Sequence, residues 1–459
     1  MNDRTAEQPL NVLLLTIDTL RADVLGSHGD SNGITPVLDG LAREGFRFEQ
    51  AITGGSWTQA AFPPLLTSSY ASMFGGCLGP LAAARPSPIR ALSGHGYRTI
   101  GISSSPLLGR RYAYERGFER FHELIPGESD PRLRRIKGGE RLLTRPLTHR
   151  IAHLLGRRLR PGRRYGSAEE VNARFAAELD GGRPFFGWVH YMDVHWPYHR
   201  EGELVDPDEI AQAWVDVKHL YRVNWKGATI TEAQKAHYLR LYREAVRYTD
   251  AQIGELLATL EARGLLETTA IIVVSDHGEE FLERGQWGHF EVNLHDEIIR
   301  VPLIVRLPGG SSGRTIRRQV QTLDIMPTIL DLCGCPAPSE LAGQSLAPLW
   351  GETGGSYEDR PAISEMWRDN RHRIAVRTGD HKLIWDSDSH KAPELFDLRA
   401  DPGERDDIAR REPDLARQYQ QVVDAHLLAV AASSPTAPVE APVHDEAMIR
   451  RLRDLGYLE

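Results

Sequence analysis

The chain has 459 residues, 41% of them hydrophobic and 26% charged, with a net charge of −8. That composition excludes a disordered or fibrous chain, and the length suits a large core with a second domain beside it. Its three cysteines, Cys77, Cys333 and Cys335, imply no disulfide framework, because two of them are a single residue apart. The polar start MNDRTAEQPL and the short apolar run after it do not read as a signal or a membrane span, so a cytoplasmic location is expected.

In chain order, strand-like runs cover 11–17, 98–104, 185–191, 270–275 and 301–306, and helix-like stretches cover 35–45, 167–180, 232–263 and 322–333. This alternation predicts an α/β fold, a mostly parallel sheet sandwiched by helices. The apolar stretch from Asp324 to Leu332 closes at Gly334 and Pro336, a helix-stop pattern. At 351–356 the composition shifts to a linker. Beyond it, 373–377, 381–386 and 393–398 read as short strands, followed by a helix from Glu412 to about Ala431. The expected organisation is therefore a catalytic α/β domain at 1–350 and a small α+β subdomain at 357–459. Residues 432–445, rich in Ala, Pro and Ser, read as a surface tether, and 445–459 returns to a helical pattern.

Charge is uneven. Between Arg132 and Arg164 twelve Lys or Arg face one acid, Glu140, so the segment carries +11 and the remainder −19. Leucines interleave at roughly helical spacing, from Leu142 to Leu155. Such a segment suits an anionic membrane or glycan surface, or a solvated helical insertion packed on the acidic body of the same chain. No nucleic-acid partner is expected.

Three apolar runs end on metal-type ligands. Asn11–Ile17 runs into Asp18, Ala270–Ser275 into Asp276-His277-Gly278, and Phe185–Val189 into His190, Asp193 and His195. Ligands bind beyond the carboxyl ends of strands in open α/β sheets, and a buried strand has no structural use for an Asp-His pair at its tip. Two carboxylates and an imidazole, Asp18, Asp276 and His277, suit a divalent cation such as zinc, manganese, magnesium or calcium. Gly278 would let the chain turn away from the strand.

Thr58, in Gly54-Gly55-Ser56-Trp57-Thr58, precedes a stretch able to open a helix. A hydroxyl at a helix start beside a cation is placed to attack phosphorus or sulfur and to ligate the metal; a plain N-cap is the structural alternative. His289 and His195 are candidate general acids, each also readable as a structural loop histidine. Arg21 and Asp193 are candidate substrate contacts, with loop solvation the alternative for Arg21. A second metal would draw on Asp193, His195 and His289.

Taken together, the chain resembles the sulfatase family of the alkaline-phosphatase superfamily. The likeness rests on 11–23, 35–45, 189–198, Ser275-Asp-His-Gly-Glu279, 300–305, 324–330, 394–398 and Asp401-Pro-Gly-Glu404, in that order. The resemblance implies that Asp18, Asp276 and His277 hold a divalent metal and that Thr58 stands at the nucleophile position. The family's Cys or Ser, followed by Pro two residues on and Arg four on, is replaced here by Thr58, Ala60 and Phe62, so no formylglycine is expected. Ser103-Ser-Ser105 stands where members place a Lys and a His, Thr19 where they carry a second Asp, and His289 where many carry a Lys. These departures point away from formylglycine sulfate chemistry and imply an unmodified threonine attacking a phosphate ester or phosphonate through a covalent intermediate; the wider expectation is a metal-dependent hydrolase of sulfate or phosphate esters. The competing readings are a transferase of phospho-groups onto a lipid or glycan and a non-catalytic binding protein that keeps the metal ligands.

Overall fold

The computed structural model describes residues 9–125, 165–179, 182–196, 227–289, 293–310, 313–351, 356–368 and 371–433, with isolated residues at 198, 216, 219, 220, 222, 223, 448, 449 and 452. The basic segment at 132–164 and the tether reading of 434–445 lie outside them.

Eight strands form the main sheet: β1 (Asn11–Ile17), β2 (Phe46–Ile52), β3 (Arg98–Ser103), β4 (Arg120–Glu123), β5 (Phe185–Tyr191), β6 (Thr269–Ser275), β7 (Arg300–Arg306) and β8 (Arg314–Gln321). Their order is β8-β2-β7-β6-β1-β5-β3-β4. Only β7 runs against its neighbours β2 and β6. The central strands β1, β5 and β6 are buried along their whole length, which is why each reads as an unbroken apolar run.

Successive β1 side chains serve opposite faces. Leu13, Leu15 and Ile17 pack with α1 (Pro36–Glu44), α4 (Ala168–Glu178) and α5 (Glu232–Ala262). Val12 and Leu14 share the other core with α2 (Thr58–Thr67), α3 (Pro88–Gly94) and α6 (Ile325–Leu332). The helix starts carry local signals: α4 and α5 open with complete capping boxes, Ser167/Glu170 and Thr231/Gln234. The mostly parallel, helix-covered α/β sheet expected from the sequence is the sheet observed.

A second, antiparallel sheet follows, β9 (Ala362–Arg368), β10 (Arg371–Arg377), β11 (His381–Asp386) and β12 (Glu394–Asp397), covered by α7 (Pro413–Ala432). Strands β2, β4, β8 and β9 escaped the sequence reading because their polar residues break the apolar run. In Arg314–Gln321 exposed side chains alternate irregularly along the sheet edge.

Two joints tie the small sheet to the large one. At the first, the Glu365 amide donates to Gly54 O (3.0 Å) and Ser364 Oγ to Thr53 O, so β9 grips the loop ahead of α2. At the second, fully buried Lys382 places Nζ 2.9 Å from Asp296 Oδ1 and 3.1 Å from Leu294 O, and contacts Glu404. Arg377 adds a second cation on Asp296 Oδ2 (2.8 Å). Burial pushes the Asp296 carboxyl up, but Lys382 and Arg377 hold it well below the usual carboxylate range. Removing one member of a buried ion cluster leaves an uncompensated charge and costs about 3–5 kcal/mol. Lys382→Met is therefore expected to lower unfolding free energy by about 3 kcal/mol in a urea titration at pH 7; a loss under about 1 kcal/mol would mean that Glu404 finds another partner.

Candidate active site

The strand register brings the three expected tips together. Ile17 pairs with Ser275 on one side and Tyr191 on the other, and Ser103 on β3 lies beside His190. Asp18, Asp276, His277 and His190 therefore emerge at one edge of the sheet, all fully buried.

Main-chain bonds aim each group. The amides of Thr19 (3.2 Å) and His277 (2.9 Å) both donate to Asp276 Oδ1, leaving Oδ2 directed into the site. His277 Nδ1 donates to Gly278 O (2.9 Å), so Nε2 presents a lone pair inward. Thr19 is held at φ 56°, a left-handed conformation that a β-branched residue rarely adopts; its Oγ1 donates to Val194 O (3.1 Å) and its carbonyl accepts from Tyr242 (2.9 Å). Gly278 is required for closeness, not for the turn foreseen from sequence: a Cβ there would meet Glu297 O at 2.1 Å, and its φ is not positive.

His277 Nε2 stands 3.8 Å from Asp18 Oδ1 and 3.5 Å from Asp276 Oδ2, and ligand atoms of all three residues lie within 4.8 Å of one another. His277 Nε2 and Asp276 Oδ2 are buried without a hydrogen bond, and no donor reaches either Asp18 oxygen at full hydrogen-bonding geometry. Burial pushes the Asp18 carboxyl up; burial and then the Asp18 charge push Asp276 up to about 6. Two desolvated carboxylates facing one imidazole, with their inward atoms unsatisfied, fit a divalent cation, whose charge reverses that penalty.

Thr58 is the first residue of α2, and Trp57, without any side-chain cap bond, is the N-cap. The capping alternative for Thr58 is thus set aside. Its hydroxyl instead lies beside the Asp18 carboxylate and favours the charged form. Residues 59–67 are wholly buried and include Pro63 and Pro64. Pro64 frees the carbonyl side of Ala60, where Gly55 packs so closely that a Cβ would come within 2.4 Å.

The expected histidines gather at the same place. His289 stands with its ring 4.4 Å from that of His277 and 5.1 Å from that of His195. Its Nδ1 lies 2.7 Å from Oε1 of buried Glu279, whose other oxygen accepts from Tyr198. Burial pushes Glu279 up to about 7 and pushes His195 down to about 3. Glu279 and Tyr198 were visible in sequence only inside larger motifs; what places Glu279 against His289 is the loop that returns the chain ten positions on.

Two expected contacts have other duties. The Arg21 guanidinium is held by both oxygens of Asp23 (2.9 and 2.6 Å), by Glu283 (2.7 Å) and by Glu279 O (2.8 Å), over the Phe281 ring. It braces the 279–283 loop instead of offering a fork to substrate. Asp193 Oδ1 accepts from the Ala168 amide (3.2 Å), capping α4. Among the described residues, Asp193, His195 and His289 do not form a second cluster of metal-ligand type.

Comparison with known proteins agrees with this geometry. Residues 10–335 match the family model described as Sulfatase, and 285–429 match that of the N-sulphoglucosamine sulphohydrolase C-terminal region. The chain belongs to the sulfatase family, a family of sulfuric ester hydrolases. Arylsulfatase K of Bos taurus is 31% identical over 216 residues, 45% of this chain and 39% of that protein; the human protein is 31% identical over the same length, 40% of its own chain. The alignment thus spans about two-fifths of these curated relatives. Among solved structures, a protein in complex with its substrate D-glucosamine-2-N,6-O-disulfate superposes with a TM-score of 0.70 at 18% identity, covering 94% of this chain and all of the other. The phosphonate monoester hydrolase of Agrobacterium radiobacter superposes at 0.66 with 21% identity, covering 92% and 95%. These structures share the fold.

Cation binding has a direct thermal readout. A divalent metal at 100 times its dissociation constant stabilises the folded state by about 2.7 kcal/mol. Adding manganese, zinc or calcium to metal-stripped protein is expected to raise Tm, and Asp276→Ala to abolish the rise. An equal rise in the variant would place the metal elsewhere.

Proposed function

We propose that the protein is a metal-dependent hydrolase of sulfate, phosphate or phosphonate esters that uses Thr58 as an unmodified nucleophile. The observation that carries this reading is the Thr58 hydroxyl beside Asp18 at the start of α2, within the edge where Asp18, Asp276 and His277 converge. The sulfatase match and the likeness to arylsulfatase K and to a phosphonate monoester hydrolase support the ester class.

Asp18, Asp276 and His277 would hold the cation, with Thr58 adjacent; when bound it neutralises the charge of the transferring group and eases loss of the threonine proton. The helix N-terminus adds amide dipoles favourable to an anion. Thr58 Oγ1 gives its proton to the Asp18 carboxylate beside it and attacks phosphorus or sulfur, forming one ester bond while the bond to the leaving oxygen breaks. His289, protonated and held through Nδ1 by Glu279, delivers its proton to that oxygen. Water then attacks the Thr58 ester, one of its protons passes to the neutral His289, and Asp18 returns its proton to Thr58 Oγ1 to restore the hydroxyl. His195, neutral in its buried setting, is suited to hydrogen bonding and not to proton donation.

Thr58→Ala is expected to lose at least about 1,000-fold in turnover of the preferred substrate among nitrophenyl sulfate, phosphate, phosphodiester and phosphonate esters, assayed with saturating metal. Turnover unchanged in that variant would exclude a threonine nucleophile. His289→Ala separates a proton donor from a structural histidine: a general acid contributes about 100- to 10,000-fold when the leaving group is a poor one. The loss is expected on an alkyl ester and to be small on the nitrophenyl ester. Equal losses on both would deny His289 that role.

A further inference from the structure

We infer that Tyr242 is a positioning residue for the cation site: its hydroxyl clamps the strained turn at Thr19 that aims the Asp276 carboxylate inward. This rests on the cation reading of Asp18, Asp276 and His277 given above.

The turn from Asp18 to Arg21 leaves β1 with each of its four amides bonded. The Asp18 amide donates to Tyr191 O (2.9 Å), that of Thr19 to Asp276 Oδ1 (3.2 Å) and that of Leu20 to Ser275 Oγ (2.9 Å). Those three acceptors stand at the ends of β5 and β6. The fourth amide, of Arg21, donates to Tyr242 Oη (2.9 Å), which itself donates to Thr19 O (2.9 Å). One hydroxyl from the covering helix α5 therefore closes the turn on both sides of Leu20.

The turn needs that closure. Thr19 stands at φ 56°, in the left-handed region that glycine enters freely and a β-branched residue only at a cost. A return to negative φ would rotate the two peptide planes flanking Thr19 against each other. The amide on Asp276 and the carbonyl on Tyr242 could not then both keep their partners. The Tyr242 bond and the Asp276 bond are thus coupled through the Thr19 backbone.

Tyr242 is placed for this by its helix. One face of α5 buries Tyr238, Tyr242, Ala245, Val246 and Thr249. The fully buried Tyr242 ring is wedged edge-on between Tyr198 at 5.5 Å and Phe281 at 4.8 Å, which sets the depth its hydroxyl reaches. Without that hydroxyl the Arg21 amide and the Thr19 carbonyl, both in buried residues, lose their partner, a penalty that favours movement of the turn.

Tyr242→Phe keeps the ring and removes only the clamp. Thr19→Gly keeps the amide on Asp276 and removes the strain, because glycine populates positive φ as readily as negative. The test is calorimetric titration of the metal-stripped full chain with zinc, manganese, calcium and magnesium, for the parent, both single variants and the double variant, with circular dichroism following the fold. Loss of a group that orients a metal ligand costs about 10- to 100-fold in affinity. Tyr242→Phe is expected to show such a loss in the parent background, and under about 3-fold in the Thr19→Gly background. A tyrosine serving packing alone would lower Tm equally in both backgrounds and leave affinity unmoved. In metal-free protein the same change is expected to speed amide hydrogen exchange across residues 18–21 by at least about 10-fold. Unchanged affinity, an equal loss in both backgrounds, or unchanged exchange would each overturn the assignment. If Tyr242→Phe alone does not fold, the double variant decides: folding, with binding within about 3-fold of Thr19→Gly, supports the clamp, and failure to fold overturns it. A parent chain that binds none of the four metals would sink the cation reading itself, a failure visible before any variant is compared.

Discussion

Two carboxylates taken out of water side by side, Asp18 at the end of β1 and Asp276 at the end of β6, are the constraint on which the rest of this edge depends. The parallel register places them as neighbours; burial raises both, and the Asp18 charge raises Asp276 further. The protein meets that penalty with directed polarity. Two amides neutralise one oxygen of Asp276, His277 turns a lone pair between the acids, and Thr19 accepts a left-handed backbone so that its amide reaches Asp276. A left-handed backbone at a β-branched residue is a local strain of the kind that clusters at active sites.

The small C-terminal sheet belongs to the same construction. It grips the loop before Thr58 through Ser364 and Glu365, and it fixes the turn at 296–299, which packs on Gly278, through Lys382 and Arg377. The loop ahead of the proposed nucleophile and the turn packed beside the proposed ligand His277 are thus each braced from the second sheet.

Much of this was legible in sequence for a simple reason. Strands buried on both faces are unbroken apolar runs, and polar residues at their ends have no packing role, so Asp18, Asp276 and His277 stood out. Helices with capping boxes were equally plain. Edge strands such as Arg314–Gln321 were not, because exposure removes the pattern. Partnerships across the chain were the hardest to read: Arg21 looked like a substrate fork until Asp23 and Glu283 were found on it, and Asp193 looked like a ligand until it proved to cap α4. The contact of Glu279 with His289, 10 positions away, is a product of the fold that no local pattern announces.

The most direct measurement of the central claim is to quench a steady-state reaction with acid and map the covalent adduct by peptide mass spectrometry, alongside protein that has seen no substrate. The expected result is an unmodified threonine at 58 before reaction and a phosphoryl or sulfuryl group on Thr58 afterwards. An adduct on another residue, or a modified side chain at 58 in the resting protein, would contradict it.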